Sequence, residues 1–309
     1  MSKTLRLGLA LSLAAVMLPA QALAKTVQLA IVGKAQGGEY WVQVRSAAEA
    51  KARTMKDVQF VYQGPRSERD TQGQISIIEN LIQKKVDGIA LSPVESKALG
   101  KTVKKALDAG IKVVTIDSDT DAKDRLSYIG TDNVAAGKAA GETLKKLLGA
   151  KKGEVAIMTG PIGAQNLRQR VEGFKKALEG SGLTVLKEQS DLGDKARAVS
   201  VAEDTLRSHP NVVAFFADTA IGGPGVAQAL KSAKKNGQVV LVGMDVTPAL
   251  VKLLNDGTVN ALIAQRPDKM GELSLQMLYD AATKGAKLSP LVDTGVEVVT
   301  KTNVAKFTK

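Results

Sequence analysis

An α/β fold of two lobes, each a doubly wound parallel sheet, is what the sequence predicts, and three observations predict it. Short runs rich in Val and Ile recur along the chain without polar alternation, the pattern of strands buried on both faces. Between them lie segments whose apolar residues return every three or four positions, the spacing of helices with one buried face. The series also reads as two successive β-α halves, one before about Thr131 and one after it, each too small to account for the whole.

The elements follow in order. A strand over 27–32 enters the turn Gly33-Lys34-Ala35-Gln36-Gly37-Gly38 and a helix over 40–53. A strand over 58–62 ends in Gln63-Gly64-Pro65 and leads to a helix over 71–84, and a strand over 86–91 ends in Ser92-Pro93 before a helix over 96–109. The strand over 111–116 runs into Asp117-Ser118-Asp119 and closes the first half. The second half begins with a helix over 133–148. Strands over 155–158, 184–186 and 212–216 then alternate with helices over 165–178, 195–207 and 221–235. Strands over 239–243 and 261–264 and a helix over 268–284 complete the pattern. In parallel sheets ligands bind beyond the carboxyl ends of the strands, so a site is sought in turns such as 33–38, 117–119, 159–163, 218–219 and 245–247.

Composition excludes several functions. The chain has 309 residues, 43 Lys and Arg against 31 Asp and Glu, a formal net charge of +12 and 44% hydrophobic residues, enough apolar matter for a core and a length fitting roughly two domains. Zero Cys removes disulfides, thiolate nucleophiles and Cys-ligated metals. The single His, His209, stands in Ser208-His209-Pro210 away from any motif and reads as a loop or helix-end residue. The basic excess is spread along helix faces as Lys145-Lys146, Lys175-Lys176 and Lys234-Lys235, and aromatics are only 3%, which argues against a nucleic-acid partner.

Catalytic motifs also fail. Gly33, Gly37 and Gly38 have the wrong spacing for a dinucleotide fingerprint, and no P-loop or nucleophile elbow occurs. The run Asp117-Ser118-Asp119-Thr120-Asp121 would need Gly and Glu where Ala122 and Tyr128 stand to form a calcium loop, and Thr120 is one position early for a D-x-D-x-T phosphotransferase. Asp119 and Asp121 therefore read as a solvated turn, and neither metal nor cofactor is expected.

The N-terminus carries an address. Lys3 and Arg6 precede a twelve-residue apolar run over 7–18, and Pro19-Ala20-Gln21-Ala22-Leu23-Ala24 ends in a small-x-small pattern. Residues 1–24 are expected to be a signal peptide cleaved after Ala24. The run is short for a bilayer span, and no Cys is present for lipid anchoring, so a periplasmic location is expected.

Five further segments carry a resemblance. They are Val113-Val114-Thr115-Ile116-Asp117; Gly130-Thr131-Asp132-Asn133 with Gly137; Arg168-Gln169-Arg170-Val171-Glu172-Gly173-Phe174; Val242-Gly243-Met244-Asp245 with Pro248; and Ile263-Ala264-Gln265-Arg266-Pro267. In this order they resemble the periplasmic sugar-binding proteins of ABC transporters, of the ribose-binding type, over about 26–306. The resemblance implies a type I periplasmic binding protein: two lobes joined by a three-strand hinge near 131–133, 265–267 and 292–294. The lobes are expected to comprise 26–131 with 266–293, and 132–265 with 294–309. The lactose-repressor family shares the fold but would need an N-terminal helix-turn-helix where this chain has its signal peptide.

The resemblance also assigns a site. Asp117 and Asp245, one per lobe, match carboxylates that accept from sugar hydroxyls; Arg170 matches a donor, Gln265 an amide ligand, and Tyr40 and Trp41 the aromatics that stack on a ring. Three positions depart from ribose-binding proteins: Ser118 replaces an Arg, Gly193 an aromatic and Thr219 an Asn. Lys34 is an added cation at the end of the first strand. Ser118, Thr219 and Lys34 complete the expected ligand set. A monosaccharide, sugar alcohol or related polyol is the expected ligand, and hinge closure followed by docking on the permease subunits of an ABC importer the expected mechanism, with the protein a monomer. Presentation of a sugar or autoinducer to a chemoreceptor or histidine kinase is the alternative. An enzyme acting on a sugar phosphate is a third.

Overall fold

The computed structural model describes residues 26–308; the expected signal peptide, 1–24, lies outside the described residues. The first sheet is built from β1 (Val27–Val32), β2 (Val58–Gln63), β3 (Gly88–Leu91), β4 (Lys112–Ile116) and β5 (Tyr128–Gly130). Their connections are α1 (Glu39–Thr54), α2 (Thr71–Gln83) and α3 (Ser96–Asp108). The chain then crosses to a second unit. It comprises α4 (Asn133–Leu148), β6 (Glu154–Thr159), α5 (Gln165–Leu178), β7 (Thr184–Val185), β8 (Gln189–Ser190) and α6 (Lys195–Ser208), followed by β9 (Val212–Ala217), α7 (Gly222–Ser232), β10 (Val240–Met244), α8 (Pro248–Asn255) and β11 (Ala261–Ala264). α9 (Pro267–Lys284) and β12 (Leu291–Asp293) return to the first unit, and β13 (Glu297–Val299) ends in the second.

The two sheets run β12-β5-β4-β3-β1-β2 and β13-β11-β10-β9-β6-β7, with β8 also on β6. All pairs are parallel except β13 on β11, which is antiparallel because the chain re-enters the second sheet from its opposite end. The three passages lie side by side. Thr294 N donates to Gly130 O at 2.9 Å and Asp132 N to Asp293 Oδ1 at 3.3 Å.

Burial explains why the apolar runs become strands. Ala30, Ile31 and Val32 in β1 and every residue of β9 are buried, as strands covered by helices on both faces must be. α9, although late in sequence, packs Met270, Leu275 and Leu278 with Leu29, Ile31 and Ile116 of the first core. Several helices start on a side-chain cap, among them α2 on Asp70, α4 on Asp132, α6 on Asp194 and α8 on Thr247.

Sequence expectation and structure differ in places. α8 was not expected. It is one short helix, started by Thr247 as N-cap and Pro248 at its first turn. The strand expected over 184–186 keeps two residues, and the helix expected over 221–235 stops at Ser232, before Lys234 turns left-handed at φ 55°. β5, β8, β12 and β13 are two or three residues each, too short to register as periodicity.

Candidate functional site

Two aspartates end equivalent strands in the two sheets. Asp117 follows β4 at φ 59°, and Asp245 follows β10 at φ 73°. Left-handed backbone costs most residues about 1–2 kcal/mol, and Asp is one of the few that tolerate it. The turn throws each carboxylate off its strand and into the space between the sheets.

Asp117 is heavily engaged. Its Oδ2 meets Lys34 Nζ at 2.9 Å and accepts from Ser92 Oγ at 2.9 Å. Its Oδ1 accepts from Tyr40 Oη at 3.2 Å and Asn166 Nδ2 at 3.3 Å, with Arg170 Nη2 3.9 Å away. Burial opposes its ionisation, but the charges of Lys34 and Arg170 and the hydrogen bonds from Lys34 and Ser92 outweigh it, and its carboxyl lies below the usual range. Burial and then the Asp117 charge push the Tyr40 phenol well above its ordinary value, so it serves as a donor.

Asp245 is less satisfied. Gln265 Nε2 donates to its Oδ1 at 2.7 Å, while burial, opposed by Arg170 and Gln265, pushes its carboxyl up to about 6. Between the two aspartates stands Arg170 on α5, fully buried, its Nε donating to Asn133 Oδ1 at 2.9 Å and its Nη1 to the Asp218 carbonyl at 2.9 Å. Arg170 Nη2 and Gln265 Oε1 are buried without a hydrogen-bond partner. A donor and an acceptor with nothing to bind are what a hydroxyl-bearing ligand satisfies.

The close packing of α4 and α5 places that arginine. A Cβ on Gly137 would overlap the carbonyl oxygen of Arg170, so only glycine lets the two helices approach there. Trp41 packs edge-on to Tyr40, ring centroids 5.1 Å apart, and its Nε1 donates to Glu68 Oε1 at 3.0 Å.

Lys34, Tyr40, Trp41, Asp117, Arg170, Thr219, Asp245 and Gln265 line one cleft between the sheets, with a cavity of about 480 Å³. Ser118 does not belong to it. The turn that points Asp117 into the cleft leaves Ser118, expected as a ligand residue, fully buried outside the lining, its hydroxyl without a hydrogen-bond partner. The solvated-turn reading of Asp119 is also corrected, because Arg125 grips both its oxygens and Thr115 donates to it at 2.7 Å. His209 caps the end of α6 and faces Glu154 at 3.2 Å.

Sequence reasoning missed Asn166 and Glu68. Asn166 shares a face of α5 with Arg170, four residues on, and accepts from Lys34 Nζ at 3.0 Å across the two sheets. That spacing was a usable signal; Glu68 sits in a turn that offers none. It also missed Asp191 and Asp218, which follow β8 and β9 on either side of β6 and are both fully buried. Burial pushes each up to about 7, and each has one oxygen without a partner. Among the described residues no group of three or more His, Cys, Asp or Glu could hold a metal ion.

The lobes touch around the cleft as well as across it. Ser96 N donates to Gly163 O at 3.2 Å and Gln165 N to Ser96 Oγ at 3.1 Å on one side. On the other, Gln43 Nε2 donates to Val246 O at 3.1 Å and Ala249 N to Glu39 Oε2 at 3.3 Å.

The chain matches the periplasmic binding protein domain family over residues 29–287. It is 34% identical over 284 residues to a D-ribose/D-allose-binding protein of Pseudomonas aeruginosa, covering 88% of each chain. Among solved structures it is similar to an ABC transporter solute-binding protein of Burkholderia graminis in complex with D-arabinose, at TM-score 0.87 and 37% identity, covering 93% of this chain and 99% of that one. Another, from Agrobacterium vitis with bound D-fucose, has TM-score 0.87 and 32% identity, covering 90% and 97%.

Proposed function

The chain belongs to the periplasmic binding protein family, and from that premise we propose that it is the substrate-binding component of an ABC importer, taking a monosaccharide or related polyol between its lobes and delivering it to the permease. It is a binding protein and not an enzyme. The observation that carries the ligand class is the pair of strand-end carboxylates, Asp117 and Asp245, set on either side of Arg170, with Arg170 Nη2 and Gln265 Oε1 buried without a hydrogen-bond partner. Vicinal hydroxyls both donate and accept, so one ring can engage all of these groups, while Trp41 offers an apolar face to its C–H surface.

In this reading the lobes are 26–131 with 266–293, and 132–265 with 294–309, and residues 1–24 are an export signal removed after Ala24. Lys34, Tyr40, Trp41 and Asp117 belong to the first lobe, Arg170, Thr219 and Asp245 to the second, and Gln265 sits at a passage between them. A ligand touching both lobes binds the closed form better than the open one, and that difference drives closure. The permease then reads the closed form. The names of the relatives reported above carry sugar binding and ABC transport.

Isothermal titration against D-ribose, D-allose, D-arabinose and D-fucose tests the reading. At least one neutral sugar is expected to bind without turnover, and Arg170→Ala is expected to abolish binding. Each charge-assisted hydrogen bond it removes is worth about 1.5–3 kcal/mol, and the aspartates on either side lose their shared counter-ion. A folded protein that binds none of the four, or an Arg170→Ala variant that binds as tightly as wild type, would overturn it.

A further inference from the structure

Resting on that reading, we propose that Glu68 is a specificity-determining residue, whose free carboxylate oxygen accepts a hydroxyl from a neutral sugar and turns away sugars carrying an anionic group at that end of the cleft. Glu68 belongs to the first lobe, on the turn between β2 and α2, and lines the cleft. Its loop is tied down by Gln36 N donating to Pro65 O at 2.9 Å and Gly64 N donating to Gln36 Oε1 at 2.9 Å. One oxygen, Oε1, is used by Trp41 Nε1. Among the described residues the other, Oε2, has no hydrogen-bond partner, and Glu68 has no ion-pair partner.

Its position follows from a glycine in the other lobe. Gly193, at φ 72°, has no side chain, and a Cβ there would lie 3.3 Å from Glu68 Cβ and 4.0 Å from Oε2. The glycine lets Glu68 come across from the facing lobe to the wall where a bulkier residue would stand. One wall of the cleft is therefore Trp41, and the neighbouring wall is a carboxylate fastened to it.

The charges around this carboxylate decide what it selects. Of the cations lining the cleft, Lys34 is paired with Asp117 and Arg170 lies among Asp117, Asp245 and Asp218, so the buried positive charge is already balanced. Arg66 and Lys195 line the outer end but are exposed, where water and salt screen them. Glu68 is half-buried and its charge reaches inward: after burial, and for Asp245 after the Asp117 charge as well, it adds to the upward pull on Asp191 and Asp245. A hydroxyl meeting Oε2 gains a charge-assisted hydrogen bond; a carboxylate or phosphate meets like charge.

Matched pairs differing in one anionic group test the assignment: D-ribose with D-ribose 5-phosphate, D-allose with D-allose 6-phosphate, D-arabinose with D-arabinose 5-phosphate, and D-fucose with D-galacturonate. Each is titrated into wild type, Glu68→Gln and Glu68→Ala, with circular dichroism as the check on folding. Gln keeps an acceptor for the Trp41 N–H, removes the charge and sets an NH2 where Oε2 stood, so that it donates to the sugar hydroxyl and no longer accepts from it. For the pair whose neutral member binds, wild type is expected to favour that member by about 100-fold, and Glu68→Gln to cut the preference about tenfold, with the neutral sugar changed less than about threefold. Glu68→Ala is expected to weaken the neutral sugar too, since the Trp41 donor is orphaned. Wild type binding the anionic member as well as the neutral one would assign the outer end to Arg66 and Lys195 and overturn the proposal. An unchanged preference in Glu68→Gln would overturn it equally while leaving the sugar-binding reading intact. If no neutral member binds, the sugar-binding reading fails and Glu68 loses its role with it.

Discussion

Asp191 and Asp218 show what a buried carboxyl without an ion-pair partner costs a fold, even where the Arg170 charge draws Asp218 down. Burial is the largest influence on each, and their own hydrogen bonds, from Gly193 N at 2.7 Å and Thr159 Oγ1 at 2.8 Å, do not offset it. Both sit near 7 in the folded protein, against an ordinary value of 3.8, and Asp245 sits near 6. The folded state therefore holds more protons than the unfolded chain between about pH 4 and 7. Stability from these groups is fully present below pH 4 and is lost as pH rises through 7, each tenfold difference in proton affinity between the folded and unfolded chain being worth about 1.4 kcal/mol. Asp117, held low, acts in the opposite sense and only at acid pH. Asp218→Asn keeps an acceptor for the Thr159 hydroxyl and removes the charge, so it is expected to raise the urea midpoint at pH 8 and flatten its fall between pH 5 and 8. A variant no more stable than wild type at pH 8 would show that Asp218 is adequately solvated when ionised.

At the scale of elements, α4 and α5 carry the arginine of the site, and their contact rests on small residues. Gly137 of α4 lies against the Arg170 carbonyl, and Gly173 of α5 against the Val134 carbonyl. Two effects compete in Gly137→Ala. Helix propensity favours alanine by about 1 kcal/mol. Overpacking against backbone that cannot move aside costs about 1–3 kcal/mol. The overlap here is with a carbonyl and not a flexible side-chain end, so the variant is expected to be less stable in urea and, with Arg170 displaced, to bind sugar more weakly. Equal stability with unaltered binding would show that the helices separate freely.

Legibility in the sequence tracked the same element scale. α4 and α5 were readable to the residue, because their apolar stripes span four turns and end in Gly149 or a basic last turn. β5 and β12 were not, since a strand of three residues has no period to detect. Asp117 and Asp245 could be found because each closes a segment that carries the family resemblance, just beyond a strand signal. Glu68 could not, because only the approach of the facing lobe over Gly193 makes its turn part of a cleft.

In the whole molecule the two lobes are held against each other by contacts that no ligand supplies. Gln43 is the clearest of them: it lies outside the cleft lining, in the first lobe, and its Nε2 reaches the Val246 carbonyl of the second at 3.1 Å. Affinity for a ligand that needs both lobes is the intrinsic affinity of the closed form multiplied by the fraction of molecules already closed. Removing a bond present only in the closed form lowers that fraction without touching the ligand. A neutral hydrogen bond contributes about 1 kcal/mol, or roughly fivefold in an equilibrium. Gln43→Ala is therefore expected to weaken every sugar by about the same factor, near fivefold, leaving the order of preference unchanged, whereas Glu68→Gln should change the order. Small-angle scattering of the unliganded variant should show a larger radius of gyration than wild type, and saturating sugar should bring the two together. A variant that reorders the sugars would place Gln43 in contact with the ligand. Unchanged affinity and scattering would mean that the Gln43 bond does not bias closure, which the cleft groups and the Ser96–Gly163 and Glu39–Ala249 contacts then carry without it.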